Sequence, residues 1–145
     1  MSDIFTIDET GRCPVDEAAI CRAIGGALAH GDAVAARICV TVVDDDTLHA
    51  INRDHLGHDW PTDVCTFPYH NDDGIEGEIF VSLDTAAREA GEQGRATADE
   101  LILYVVHGVL HLCGWDDIEP DDRRQMRAAE RAVLQSLGIE PHYFD

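Results

Sequence analysis

The chain has 145 residues, 45% of them hydrophobic, which suits a single domain (1–145) with a buried core. Its net charge is −19, with ten arginines and no lysine, which argues against non-specific nucleic-acid binding because phosphate contacts need cationic side chains. No apolar run is long enough to span a membrane and no signal peptide is visible. The five scattered cysteines form no C-x-x-C pair, so we expect reduced thiols in a cytoplasmic protein.

The first half of the chain predicts alternating strands and helices. Residues 4–8 predict a short strand, and Pro14 fits the first turn of a helix that reaches about Leu28. Residues 37–43 are rich in β-branched side chains and predict a buried strand. A helix from about 46 to 55 follows, with Asp44 and its neighbours suited to its N-terminal cap.

The second half predicts a pair of strands and then helices. Residues 63–69 and 77–83 predict neighbouring antiparallel strands, because a turn signal lies between them. A helix over 84–93 ends at Gly94. Thr97 and Glu100 have the spacing of a capping box for the next helix, and the last helix runs from Pro120 to Leu137.

The residues from 107 to 117 carry the chemistry, and they read H-G-V-L-H-L-C-G-W-D-D. His107 and His111 are four residues apart, so on a helix they lie on one face about one turn apart. Gly114 predicts a helix stop, after which Asp116 or Asp117 can return to the histidines. Two imidazoles and a carboxylate would leave a fourth position open on zinc, as in catalytic zinc sites. Two solvated helix histidines are the alternative interpretation.

The glycine after the first histidine argues against a protease. Zincin proteases place a glutamate at this position as the general base. Here the residue is Gly108, so that mechanism lacks its base.

Three stretches together resemble one family. The histidine stretch resembles H-G-x-L-H-L-x-G-Y/W-D-H, the signature of the YbeY family of single-strand endoribonucleases that act in ribosomal RNA maturation. Residues 59–68, D-W-P-T-D-V-C-T-F-P, with Asn52 before them, resemble that family's second motif. Residues 77–82, G-E-I-F-V-S, resemble its G-D-I-x-I-S strand. Order and spacing agree over nearly the whole chain.

The resemblance implies the fold and the site. The fold it implies, consistent with the predicted elements, is α+β: a small mixed β-sheet packed against helices, with a central metal-bearing helix. It implies one Zn²⁺ per chain, with His107, His111 and Asp117 as ligands. Asp116 is a candidate catalytic residue because it adjoins the ligand Asp117, with capping or support of a ligand as the favoured role, and no general base is evident.

Two departures from the family pattern stand out. Asp117 occupies the position of the family's third metal histidine, and aspartate is a competent but shorter, anionic zinc ligand. His142 near the C-terminus is a candidate substitute for it. The family's arginine falls on Leu56 and its lysine on His58. Arg53 would share a helical face with position 56, and we hypothesise that it takes the arginine's catalytic role.

The arginines of the last helix allow two interpretations. Arg124, Arg127 and Arg131 form a stripe, and Arg123 precedes it. The simpler interpretation, slightly favoured, is a solvated face paired with Asp121, Asp122 and Glu130. The alternative is a rim that guides phosphates towards the metal.

Three functions follow from these patterns. The favoured one is a zinc-dependent endoribonuclease that cleaves single-stranded RNA in ribosomal RNA maturation, including small-subunit 3′-end processing and ribosome quality control. Its partners would be ribosomal RNA and the ribosome or its associated proteins, with no membrane. The alternatives are a metallohydrolase of the same fold with another substrate, and a non-catalytic ribosome-associated module with a structural metal.

Overall fold

The computed structural model describes residues 2–31, 33, 36–56, 63–69, 74–115 and 117–139. Among these residues no helix is long and apolar enough to cross a membrane. The elements in chain order are β1 (Ser2–Asp8), α1 (Glu17–His30), β2 (Ala36–Val43), α2 (Asp45–Leu56), β3 (Val64–Tyr69), β4 (Ile75–Ser82), α3 (Leu83–Gln93), α4 (Thr97–Leu112) and α5 (Pro120–Ser136).

The four strands form one mixed sheet in the order β1-β2-β4-β3. β1 pairs with β2, and β2 with β4, in parallel. β3 runs antiparallel to β4, as the turn signal between them predicts. The β-branched run of β2 is buried because this strand lies inside the sheet, with Ile38, Val40 and Val42 in the main core. The predicted α+β fold with a small mixed sheet is confirmed.

Helix α4 lies at the centre of the molecule. It contacts α1, α3 and α5 as well as β3 and β4. This explains why its sequence is apolar around most of its circumference, since a helix covered on several sides has no solvated face to fill with charge. Its residues Leu101, Val105, Val106 and Val109 are fully buried. The prediction of a central helix is confirmed.

Gly108 sets how closely α4 approaches the sheet. A Cβ atom at this position would lie 2.9 Å from Ile79 Cγ2 and 3.3 Å from Thr66 Cγ2. Both contacts are tighter than ordinary van der Waals separation, so the helix can lie this near β4 and β3 only with glycine here. Because Gly108 directly follows His107, the close approach of α4 also fixes how far His107 lies from the sheet.

Two predicted helix starts are wrong. Helix α1 begins at Glu17 rather than near Pro14, because the Asp16 carboxylate caps it by accepting a hydrogen bond from the Ala19 amide at 2.8 Å. Helix α4 has Ala96 at its N-cap position and no side-chain cap. The predicted capping box does not form, because Glu100 is buried and bonds instead to Arg95.

A candidate metal centre and its cavity

The two histidines of α4 meet on one face, as their spacing predicts. The Nε2 atoms of His107 and His111 lie 2.9 Å apart. Their ring centroids are 4.5 Å apart and the ring planes are nearly perpendicular. Both side chains are partly exposed, at 23% and 27%. The helix therefore directs two imidazole nitrogens at one point that solvent can reach.

Asp117 brings a carboxylate to the same point. Its oxygens lie 3.4 Å from His107 Nε2 and 3.6 Å from His111 Nε2. The chain turns back through Gly114, whose φ of 98° favours glycine, and the Trp115 amide bonds to the Leu110 carbonyl at 3.0 Å. The helix stop predicted at Gly114 is thus what returns the chain to the histidines.

Arg123, on the first turns of α5, holds the backbone around Asp117. Its Nε donates to the Asp117 carbonyl at 3.3 Å, and its Nη2 donates to the Ile118 carbonyl at 3.2 Å. The guanidinium has five N–H donors in a rigid plane, so it can join two successive carbonyls. Arg123 therefore ties the segment that carries the third candidate ligand to helix α5.

Glu130 is a site residue that the sequence analysis assigned to a solvated ion pair. It lies in α5, is 3% exposed, and its carboxylate contacts His107 Nδ1 directly. Such carboxylate–histidine contacts orient metal-binding imidazoles and leave the other ring nitrogen facing the metal. A signal was present in the sequence, because Glu130 lies on the same helical face as Met126, Val133 and Leu134, the buried stripe of α5.

The charge state of His107 reflects this contact. Burial by itself would lower the pKa of His107. The hydrogen bond to Glu130 and the negative charges of Glu130 and Asp117 outweigh burial, so the pKa is raised above its ordinary value. Without a cation between them, the carboxylates stabilise a proton on this imidazole.

A cavity of about 490 Å³ opens beside the three side chains. His107, Asp117 and Glu130 line it, and so do Arg95 and Glu100, near the start of α4. Arg123 and Arg127 border it from α5. Asp63 also lines it.

The arginines of α5 lie in two different environments. Arg123 and Arg127 line the cavity, which favours the second interpretation for these two residues. Arg124 pairs instead with Asp121 at the surface, as the first interpretation expects. Glu130 faces the histidines and takes no part in the arginine face.

The remaining predicted site residues have different outcomes. Asp116 and His142 lie outside the described residues. Arg53 does not line the cavity; its Nε lies 2.9 Å from the Asp54 carboxylate, and its side chain is 50% exposed. The catalytic roles of Arg53 and Asp116 stay predictions.

The donor set fits a divalent metal. One donor atom from each of His107, His111 and Asp117 lies within 4.8 Å of the others, and among the described residues this is the group with such geometry. Two imidazoles and one carboxylate are a ligand set of catalytic zinc sites. The buried carboxylate behind His107 adds the outer contact that such sites use.

Comparisons with known proteins match this architecture. The family model described as endoribonuclease YbeY matches residues 13–138. Endoribonuclease YbeY of Rhodopirellula baltica is 44% identical over 135 residues, covering 91% of this chain and 67% of that protein. The chain belongs to the endoribonuclease YbeY family. The YbeY protein of Chlorobium luteolum is 37% identical, over 90% of this chain and 96% of its own length.

The fold of this YbeY family member agrees with that of a solved structure. The solution structure of a Thermotoga maritima protein superposes with a TM-score of 0.63 and 24% identity, over 92% of this chain and 90% of that one. At this identity the match supports the fold alone. The resemblance found in the three sequence motifs is therefore confirmed by the family match.

Proposed function

We propose that this protein is a zinc-dependent endoribonuclease that cleaves single-stranded RNA during ribosomal RNA maturation. The chain belongs to a family of endoribonucleases, so it is an enzyme that hydrolyses phosphodiester bonds of RNA, and this part of the sequence prediction is confirmed. We further propose that the metal is zinc and that the protein works with ribosomal partners. We also propose that it acts in ribosome quality control and is located in the cytoplasm. The location follows from the substrate, because ribosomes are assembled in the cytoplasm.

One observation carries the proposal. The donor atoms of His107, His111 and Asp117 converge, and His107 and Asp117 line a cavity large enough for part of a nucleic-acid strand. Neutral imidazoles and one carboxylate suit zinc better than the hard cations Mg²⁺ and Ca²⁺, which prefer oxygen ligands. We infer that these three residues bind one Zn²⁺ per chain.

The bound ion would supply Lewis acidity, which polarises a phosphoryl oxygen and lowers the pKa of water. The protein's own residues prepare that position. Glu130 fixes the ring of His107 through Nδ1, so that Nε2 faces His111 and Asp117. Arg123 holds the backbone of Asp117. These contacts limit the movement of two of the three ligands, which favours catalysis by positioning.

The test begins with metal content. Protein purified without chelator should contain one zinc per chain, and Asp117→Ala should contain little. The wild type should also cleave a single-stranded RNA, and the variant should not. One zinc in both proteins would move the third ligand elsewhere, with His142 the first residue to examine.

Two results would overturn the function itself. Turnover of esters or amides without cleavage of RNA would assign the protein to another class of metallohydrolase. Absence of turnover on every substrate, with unfolding on chelation, would indicate a structural metal in a non-catalytic module.

A further inference from the structure

The cavity that His107 lines also contains a buried cation. The side chain of Arg95 is 3% exposed, although it belongs to the short connection between α3 and α4. Its Nη1 donates to Glu100 Oε1 at 3.0 Å. Its Nη2 is also buried and has no hydrogen-bond acceptor among the described residues. A buried N–H without an acceptor is costly, so an acceptor is expected to complete the site.

A second buried donor lies beside Arg95. The Tyr104 hydroxyl, one helical turn after Glu100, is also buried. Tyr104 lines the same cavity as Arg95. Two enclosed donor groups therefore border one space.

The cavity contains a cluster of arginines in an otherwise acidic protein. Three of the ten arginines line it, Arg95, Arg123 and Arg127, in a protein of net charge −19. Four acids line it as well: Asp117 and Glu130 contact His107, Glu100 contacts Arg95, and Asp63 precedes β3. Burial raises the pKa of Glu100, although the charge of Arg95 beside it acts in the opposite direction.

We propose that this cavity is a phosphate subsite: it binds one phosphate of the RNA strand beside the bond that is cleaved, through Arg95 and Arg127. The assignment of the ligand to RNA rests on the proposed function, whereas the anion site rests on the arginines alone. The volume of about 490 Å³ accommodates a nucleotide. Leu103 and Met126 line the same cavity and offer apolar contact for a ribose or a base.

The subsite explains how an acidic protein holds RNA. Outside the cavity the surface repels a polyanion, but two guanidinium groups in a partly enclosed space interact with phosphate more strongly than they would in water. Arg95 on one side and the histidine cluster on the other would place adjacent phosphates in a defined order. The strand is then positioned by its backbone, which carries no sequence information.

The experiment measures binding of a fluorescent single-stranded oligonucleotide with 2′-O-methyl riboses, by anisotropy at several salt concentrations. Arg127→Gln and Arg95→Gln should each weaken binding roughly tenfold and flatten the slope of log K against log salt by about 0.7, the contribution of one phosphate contact. Arg22→Gln, at an exposed position of α1, is the matched control because it removes one arginine charge away from the cavity. It should leave the binding affinity and the salt slope nearly unchanged.

Glu100→Gln gives the opposite prediction. Removing the carboxylate leaves Arg95 with its full charge for the phosphate, so binding should strengthen several-fold. If Arg95→Gln fails to fold because Glu100 is left buried and unpaired, the double variant Arg95→Gln with Glu100→Gln removes both charges and keeps both side-chain sizes. The double variant should bind as weakly as Arg127→Gln.

The outcomes distinguish a failure of the phosphate subsite from a failure of the proposed function. Cleavage of RNA by the wild type with unchanged KM and salt slope in the arginine variants would refute the subsite and leave the function intact. Raised KM with unchanged kcat in Arg127→Gln would support it. If the wild type cleaves no RNA, the salt slopes and a titration with inorganic phosphate still decide whether the arginines bind an anion.

Discussion

Asp117 is the residue at which this chain departs from its family's histidine motif, and its charge sets what it can do. A carboxylate within 3.4 Å of His107 and 3.6 Å of His111 has the reach of a ligand despite its shorter side chain. It also donates more negative charge than an imidazole would, which should make a zinc-coordinated water less acidic than in a three-histidine site. The activity of this site should therefore be greatest at a somewhat higher pH than the activity of a three-histidine site.

The substitution Asp117→His tests this ligand directly. We expect it to keep or raise zinc affinity, because it restores a three-imidazole set. Asp117→Asn is the matched control: it keeps the shape but loses the anionic oxygen, and it should lose metal. Zinc content by mass spectrometry and zinc affinity by competition with a chelating dye are the measurements. Loss of zinc from the histidine variant would count against Asp117 as a ligand.

Glu130 acts on the metal site through His107. Replacing it with Gln keeps the volume but removes the charge that orients the imidazole, so zinc affinity should fall about 10- to 100-fold. The same competition assay measures this loss. Glu119→Gln, in the exposed segment before α5, is a suitable control and should leave affinity unchanged. Equal affinity in Glu130→Gln and wild type would show that the contact with His107 has no role in metal binding.

The contact also predicts a pH dependence of the metal-free protein. The pKa of His107 is raised above 6.5 in the folded state, so the folded state binds this proton more tightly than the unfolded chain does. The resulting stabilisation is fully present below about pH 6.5 and is lost as the pH rises through the raised value.

Urea unfolding of the chelated protein between pH 5.5 and 9 would measure this contribution of His107. In Glu130→Gln the contribution should shrink, because the hydrogen bond and the charge of Glu130 that raise the pKa of His107 are removed, whereas burial, which lowers it, remains. An identical pH profile for the two proteins would contradict the assignment.

At the scale of the elements, the contact of α4 with the sheet decides where the site lies. Gly108 allows this contact, and Gly77 of β4 does the same near Leu112, whose Cδ2 would lie 2.7 Å from an added Cβ. The absence of the zincin glutamate after His107 thus has a structural cause as well as a chemical consequence. A larger side chain at position 108 has no room between the helix and the strands.

Gly108→Ala should therefore destabilise the fold by about 1–3 kcal/mol, the usual cost of overpacking a core. Gly91→Ala in α3 is the matched control, since nothing lies within 4 Å of its added Cβ, and it should be neutral or stabilising by about 0.5–1 kcal/mol. Chemical denaturation of both variants measures the difference. A Gly108→Ala protein as stable as wild type would mean that α4 can move away from the sheet.

At the scale of the whole molecule, the core does not depend on the metal site. The main core is formed by apolar residues of α1, α3, α4, α5 and the sheet. The histidines lie at its edge and are partly exposed. A metal bound there adds stability through its preference for the folded state but does not build the core.

Removal of the metal should accordingly leave the protein folded. After treatment with a chelator, the far-UV circular dichroism spectrum should be unchanged and Tm should fall, while RNA cleavage stops and returns on addition of zinc. Unfolding on chelation would identify the metal as structural.

The net charge of −19 belongs to the same scale. It excludes a general affinity for polyanions, so binding of RNA must come from a confined region. The cavity that joins the histidine cluster to Arg95 and Arg127 is such a region.

The sequence by itself determined the features that depend on local geometry. The spacing of His107 and His111 on one helical face, the helix stop at Gly114 and the return of an aspartate, Asp116 or Asp117, follow from the period of the helix and the conformational freedom of glycine. Burial of α4 was likewise visible, because a helix without a polar face must be covered by its neighbours.

Only the tertiary structure decided which distant side chains meet. Glu130 reaches His107 from α5, and Arg95 takes Glu100 away from the helix cap that its spacing predicts. Both contacts involve buried charged groups, which need a partner of opposite charge. The packing of the helices determines which partner is near enough. That choice depends on how the helices pack, which no pattern of neighbouring residues encodes.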